Sequence, residues 1–131
     1  MSKRILITGG TGSLGSALVK KWSKEGHQLT VISKDEHRQA AMRQSFPGVK
    51  LYMLDLGNAG VYRQLLDAVE GQDYCIHCAA NKIVGESEYQ PFPYLYTNVL
   101  GTLYLIQAWK QTHGDCKKLL YINSDKAVSS L

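Results

Sequence analysis

The sequence predicts an α/β fold in which a parallel sheet carries helices on both faces. Three observations lead there. Short apolar runs alternate with helix-like stretches along the whole chain, the signature of repeated strand–helix–strand units. The runs are apolar almost without interruption, as strands must be when both faces of a sheet are covered. The first run, Ile5-Leu6-Ile7, stops at the cluster Thr8-Gly9-Gly10-Thr11-Gly12-Ser13-Leu14-Gly15, and a helical pattern with Ala17, Leu18 and Val19 follows at once. Right-handed crossovers and a glycine turn after the first strand favour the strand order 3-2-1-4-5. This is a doubly wound sheet of the Rossmann type.

The elements follow in order. Residues 3–8 are the first strand, and 13–25 the first helix, ended by Gly26. Residues 28–33 form the second strand, and a helix over 35–46 stops at Pro47-Gly48. Residues 49–54 form the third strand. A helix over 59–70 places Val61, Leu65, Leu66 and Val69 on one face and ends at Gly71. A fourth strand covers 73–78, a loop runs over 79–91, a long helix covers 92–113, and the fifth strand is 118–123. The long helix is unusual. Tyr94, Leu95, Tyr96, Val99, Leu100, Leu103, Tyr104, Leu105, Ile106 and Trp109 spread around most of its circumference. A helix apolar on several sides is covered on several sides. The sheet can cover one side, so a subunit interface or a further C-terminal segment is expected on the other.

The glycine cluster carries the first chemical signal. Gly10, Gly12 and Gly15 satisfy the dinucleotide-binding fingerprint, and Gly9, Gly12 and Gly15 its three-residue-spaced variant. The turn must be tight, the backbone must approach a pyrophosphate, and the helix must pack on its strand. The backbone N–H groups of Thr11, Ser13 and Leu14 then stand with the glycines at the positive end of a helix. The second strand ends Ile32-Ser33-Lys34. An acid in this region would favour NAD by accepting from a ribose hydroxyl. A hydroxyl and a cation suit a 2′-phosphate instead, so NADP is expected. NAD is the second choice, should Asp35 or Glu36 turn toward the ribose. Asp55-Leu56 follows the third strand, at the ligand edge of such a sheet. Asp55 there either accepts from an adenine amino group or caps a turn. Ala79 and Ala80 end the fourth strand with side chains small enough for a cofactor, or a helix, to lie against.

Bulk properties bound the rest. The chain has 131 residues, 44% of them apolar and 20% charged, which fits one soluble domain. Its formal charge of +4 comes from 15 basic and 11 acidic residues. The basic residues are scattered rather than gathered into a stripe, which argues against a nucleic-acid partner. No apolar run approaches the roughly 20 residues of a membrane span, and no secretory segment precedes the first strand, so a cytoplasmic chain is expected. Cys75, Cys78 and Cys116 do not form an even disulfide framework. Cys75 and Cys78 have metal-like spacing, but they lie in a strand, where residues three apart face opposite sides. They read as structural cysteines, with no metal.

Taken together, the Thr8–Gly15 loop, Ser33-Lys34-Asp35-Glu36, Asp55, His77-Cys78-Ala79-Ala80, Glu88-Tyr89-Gln90-Pro91-Phe92, Thr97-Asn98-Val99-Leu100-Gly101 and Ser124-Asp125-Lys126-Ala127-Val128 come in the order of the extended short-chain dehydrogenase/reductases. Among these the chain most resembles the UDP-N-acetylglucosamine 4,6-dehydratases of bacterial polysaccharide biosynthesis. The Ser-Asp-Lys-Ala-Val element is the most specific part of the resemblance. The resemblance implies that Asn98 lies at the cofactor. It also implies that Asp125 protonates a departing C6 hydroxyl, Lys126 takes the C5 proton, Ser124 orients the sugar near C4, and Lys82 lies toward the substrate. An acid and an amine side by side after a central strand agree with such proton work. The family continues with a Tyr-x-x-x-Lys helix and a sugar-binding portion, whereas this sequence ends at Leu131. The expected function is therefore the cofactor-binding half of an NADP-dependent nucleotide-sugar dehydratase. It would act with a second copy or a complementing C-terminal chain. A nucleotide-sugar epimerase and a non-catalytic NAD(P)-binding module are the alternatives.

Overall fold

A computed structural model describes residues 2–78, 91–114 and 118–122 of the chain, with 91–98 and 121 described by their backbone only. Strand β1 (Arg4–Thr8) leads into helix α1 (Ser13–Lys24). Strand β2 (Gln28–Ser33), helix α2 (Glu36–Ser45) and strand β3 (Lys50–Met53) follow. Helix α3 (Tyr62–Val69) precedes strand β4 (Tyr74–His77), and the 23-residue helix α4 (Pro91–His113) precedes strand β5 (Leu119–Tyr121). The five strands form one parallel sheet in the order β3-β2-β1-β4-β5, as the crossover and glycine-turn rules predict.

Period-two alternation divides each central strand between two cores. Ile5 and Ile7 of β1, with Leu29 and Val31 of β2, pack against Val19 of α1 and Met42 of α2. Leu6 of β1 and Ile32 of β2 face the other way, onto Leu65 and Val69 of α3 and Leu105, Ala108 and Trp109 of α4. The continuous apolar runs are thus two interleaved stripes. Cys75 joins the second core and Cys78 borders the first, so the two cysteines lie on opposite faces of β4. Burial pushes the Cys75 thiol far above its usual pKa, which keeps it protonated and inert.

Two elements depart from expectation. The sequence pattern predicts one helix over 59–70, but the chain makes a 3₁₀ turn over Ala59–Val61 before α3 begins. Asn58 explains it. Its side-chain oxygen accepts from Gly60 N at 2.8 Å, and its carbonyl accepts from Val61 N at 3.2 Å. This local turn competes with an α-helical start, and Gly60 offers little helix propensity to oppose it. The second departure is in α4. Trp109 belongs wholly to the core, whereas Val99, Leu103 and Ile106 are 49%, 54% and 37% exposed and face outward. Tyr104 is half-buried and meets Tyr62 edge-on, with ring centroids 6.3 Å apart.

The two faces of α4 are therefore separable by mutation. Trp109→Ala should lower stability by about 3–5 kcal/mol. Leu103→Glu should leave urea unfolding within about 0.5 kcal/mol of the original. Where the outward face is an interface between copies, the same Leu103 variant dissociates the assembly in sedimentation velocity.

Candidate functional site

The chain leaves β1 at Gly9, whose φ of 71° lies in the left-handed region. The loop is held from both sides: Gly9 N donates to Ile32 O at 2.8 Å, and Gly12 N donates to Gly9 O at 3.1 Å. A Cβ on Gly10 would sit 2.6 Å from Val31 Cγ1. A Cβ on Gly15 would sit 2.4 Å from both Gly10 Cα and Gly9 O. No side chain fits at either position, so the two overlapping glycine patterns are both used.

The start of α1 is electrostatically open. Its N-cap is Gly12, with no side-chain cap, and its first turn holds no acid. Helix α2 is the contrast. Asp35 accepts from Arg38 N at 3.0 Å and pairs with Arg38 Nε at 3.4 Å, and Glu36 stands in the first turn. Of the two neighbouring helix starts, α2 carries its own anions and α1 leaves its positive end to an external one.

A buried polar group underlies the loop. His77, the last residue of β4, has Nδ1 against the Thr8 hydroxyl and Nε2 3.0 Å from Thr102 Oγ1 on α4. Burial pushes the His77 pKa down to about 4, so the ring is neutral at pH 7.

The residues expected at the cofactor are distributed as follows. Gly9, Gly10, Thr11 and Gly12 form the turn after β1, and Ser13, Leu14 and Gly15 open helix α1 directly after it. Ser33 is buried, and its hydroxyl is engaged within the chain, 2.9 Å from Thr11 Oγ1 and accepting from Asp35 N at 3.1 Å. It ties the end of β2 to the glycine loop. Lys34 beside it is exposed. Asp55 makes the turn contact, accepting from Gly57 N at 3.1 Å. Leu56 is half-buried under α4, where a Cβ on Gly101 would lie 3.0 Å from its Cβ. Asn98 lies within α4 and is described by its backbone. Ala79, Ala80, Lys82, Ser124, Asp125 and Lys126 lie outside the described residues.

Sequence reasoning missed the Thr8–His77–Thr102 contact, the close approach at Gly101, and Gln39. The Gln39 amide donates to Ser33 O at 3.2 Å and Tyr52 O at 2.8 Å, holding β2 and β3 together at the same edge. The available signal was polarity at the ends of apolar strands, at Thr8 and His77.

A parallel sheet with a glycine turn after its first strand and an uncapped first helix is the architecture that dinucleotide-binding domains share. The chain matches the NAD dependent epimerase/dehydratase family over residues 5–130, and it belongs to that family. The UDP-glucose 4-epimerase of Rickettsia bellii (strain RML369-C) is 35% identical over 135 residues, covering 98% of this chain and 38% of that protein. Among solved structures, Pen from Bacillus thuringiensis superposes with a TM-score of 0.82 at 30% identity, covering 95% of this chain and 38% of that one. The UDP-Glc/GlcNAc 4-epimerase of Campylobacter jejuni gives 0.73 at 25% identity, covering 92% and 36%. The chain thus spans little more than a third of the length of these relatives. The broader resemblance to the extended dehydrogenase/reductases stands. The narrower one, to 4,6-dehydratases, is not carried by these relatives, two of which are named as 4-epimerases.

The neutral His77 makes stability depend on pH. An unfolded histidine binds its proton near pH 6.5, whereas the folded one resists until about 4. The unfolded state therefore holds more protons between these values, and stability falls as pH drops from 6.5 to 4. The full effect is about 3 kcal/mol. Denaturant unfolding at stepped pH should show this slope in the original protein and lose it in His77→Phe.

Proposed function

We propose that this chain is the NAD(P)-binding half of a nucleotide-sugar 4-epimerase acting on a UDP-linked hexose. The observation that supports it most is the likeness of 98% of this chain to 38% of a UDP-glucose 4-epimerase, over a loop with no Cβ at Gly10 and Gly15 and no acid at the start of α1. The Gly9–Gly15 backbone and the α1 terminus hold the pyrophosphate. Leu56, with Asp55, walls the adenine side. Ser124, shortly after β5, orients the sugar near C4. The bound nicotinamide supplies reversible hydride exchange at that carbon.

Asp125-Lys126 favours a second reading, dehydration. There Asp125 protonates the leaving C6 hydroxyl and Lys126 takes the C5 proton. The outward face of α4 at Val99, Leu103 and Ile106 fits a second copy or a C-terminal complement, the latter supplying the sugar-binding portion.

Within this reading NADP is preferred. Asp35 is engaged by Arg38 and by the α2 cap, and Lys34 next to it is exposed, which supports a cation rather than an acid as the residue that meets the ribose. Titration by cofactor fluorescence should show tighter binding of NADPH than of NADH, and Lys34→Asp should reverse the order. The lost cation contact corresponds to about 1.5–3 kcal/mol. Equal affinities in the original protein would overturn the preference.

The reaction itself is tested on this chain joined to, or mixed with, the C-terminal portion of such an enzyme. UDP-glucose and UDP-N-acetylglucosamine should be converted to their C4 epimers, whereas this chain alone should show no turnover. A 4-keto-6-deoxy product, lost in Lys126→Ala, would establish the dehydratase instead. Tight NAD(P)H binding with no conversion of either sugar would leave a non-catalytic module.

A further inference from the structure

We propose that His77 is a positioning residue: by gripping Thr8 and Thr102 together, it holds the phosphate loop and helix α4 in one fixed arrangement at the ligand edge. The inference rests on the dinucleotide reading and adds to it a buried residue behind the glycine loop.

The geometry is specific. Thr8 and His77 are register partners, and each is the last residue of its strand. Thr8 is fully buried and His77 is 3% exposed. Alternation along β1 sends Thr8 to the same side as Leu6, toward α3 and α4, so its hydroxyl and Thr102 meet the imidazole from two directions. The Thr8 carbonyl also accepts from Cys78 N at 2.9 Å. The residue from which the loop springs is thus held by β4 through side chain and backbone, and the left-handed turn at Gly9 follows immediately. On α4, Thr102 adjoins Gly101, which presses on Leu56. Two consecutive residues of α4 therefore dock against both walls of the site, the end of β4 and the turn after β3.

A neutral imidazole suits this buried place. It offers one donor and one acceptor at opposite corners of a rigid ring, so it bridges two hydroxyls along a defined line. An apolar ring of similar size would fill the volume but strand the Thr8 hydroxyl and lose that direction. Placement within about 0.5 Å is what a preorganised site needs from its supporting residues.

The test uses the full chain and the variants His77→Phe, Thr102→Val and Thr102→Ser, with Leu105→Ala as a core control. Two quantities are read: NADPH affinity, and amide hydrogen exchange at Gly9, Gly12 and Ser16 compared with Leu6 and Val31 in the strands. His77→Phe and Thr102→Val should raise the NADPH Kd about tenfold or more and speed exchange of the loop amides beyond that of the strands. Thr102→Ser, which keeps the hydroxyl, should behave as the original. Leu105→Ala should speed loop and strand amides together. A folded His77→Phe with unchanged affinity and loop exchange overturns the proposal. So does a change that tracks global stability as in Leu105→Ala. If His77→Phe does not fold, the Thr102 pair makes the same decision. If the original chain binds no NAD(P)H, the dinucleotide reading fails, and the loop amides still judge the role of His77.

Discussion

Helix α1 can begin where it does because nothing stands between Gly15 and the Gly9–Gly10 backbone. A methyl group at position 15 would lie 2.4 Å from two of those atoms, and one at position 10 would strike Val31. With both absent, the first turn of α1 closes onto the ends of β1 and β2. Ser16 N reaches Gly12 O at 2.8 Å, and the bare helix terminus points over the sheet edge. If α1 were displaced, Val19 would leave its core and the amides at the helix start would leave the sheet edge. The same contact supports the packing of α1 and the loop on which the proposed cofactor site rests.

Around that closure the carboxyl edge is cross-tied by polar side chains, each working between elements. Thr11 meets Ser33 between the glycine loop and β2. Gln39 spans β2 and β3, and His77 spans β1, β4 and α4. Parallel strands end at one edge with their carbonyls exposed, and helices covering both faces leave water little access to them. Satisfying buried groups there with directed side chains gives a rigid rim.

Charge separates two helix starts that are otherwise alike. Asp35 and Glu36 complement α2 from within, and Arg38 folds back on Asp35. Helix α1 has glycine and serine where those acids would stand. The field of α1 is left for a ligand, while Lys34 faces solvent between the two.

Topology was legible in the sequence because it follows from local rules. The apolar runs, the glycine stops and crossover handedness led to the observed strand order. The glycine loop was legible because its spacing encodes a steric need. The split of the long helix into a core face at Leu105 and Trp109 and an outward face at Leu103 was not legible, since both sets are apolar and only docking on the sheet distinguishes them. Likewise Ser33 and Asp55 carry polar groups suited to a ligand, yet in the fold both make internal contacts. His77 reads locally as one polar residue in a strand. Its partners are 69 and 25 residues away in sequence, so only the tertiary structure could bring the three together.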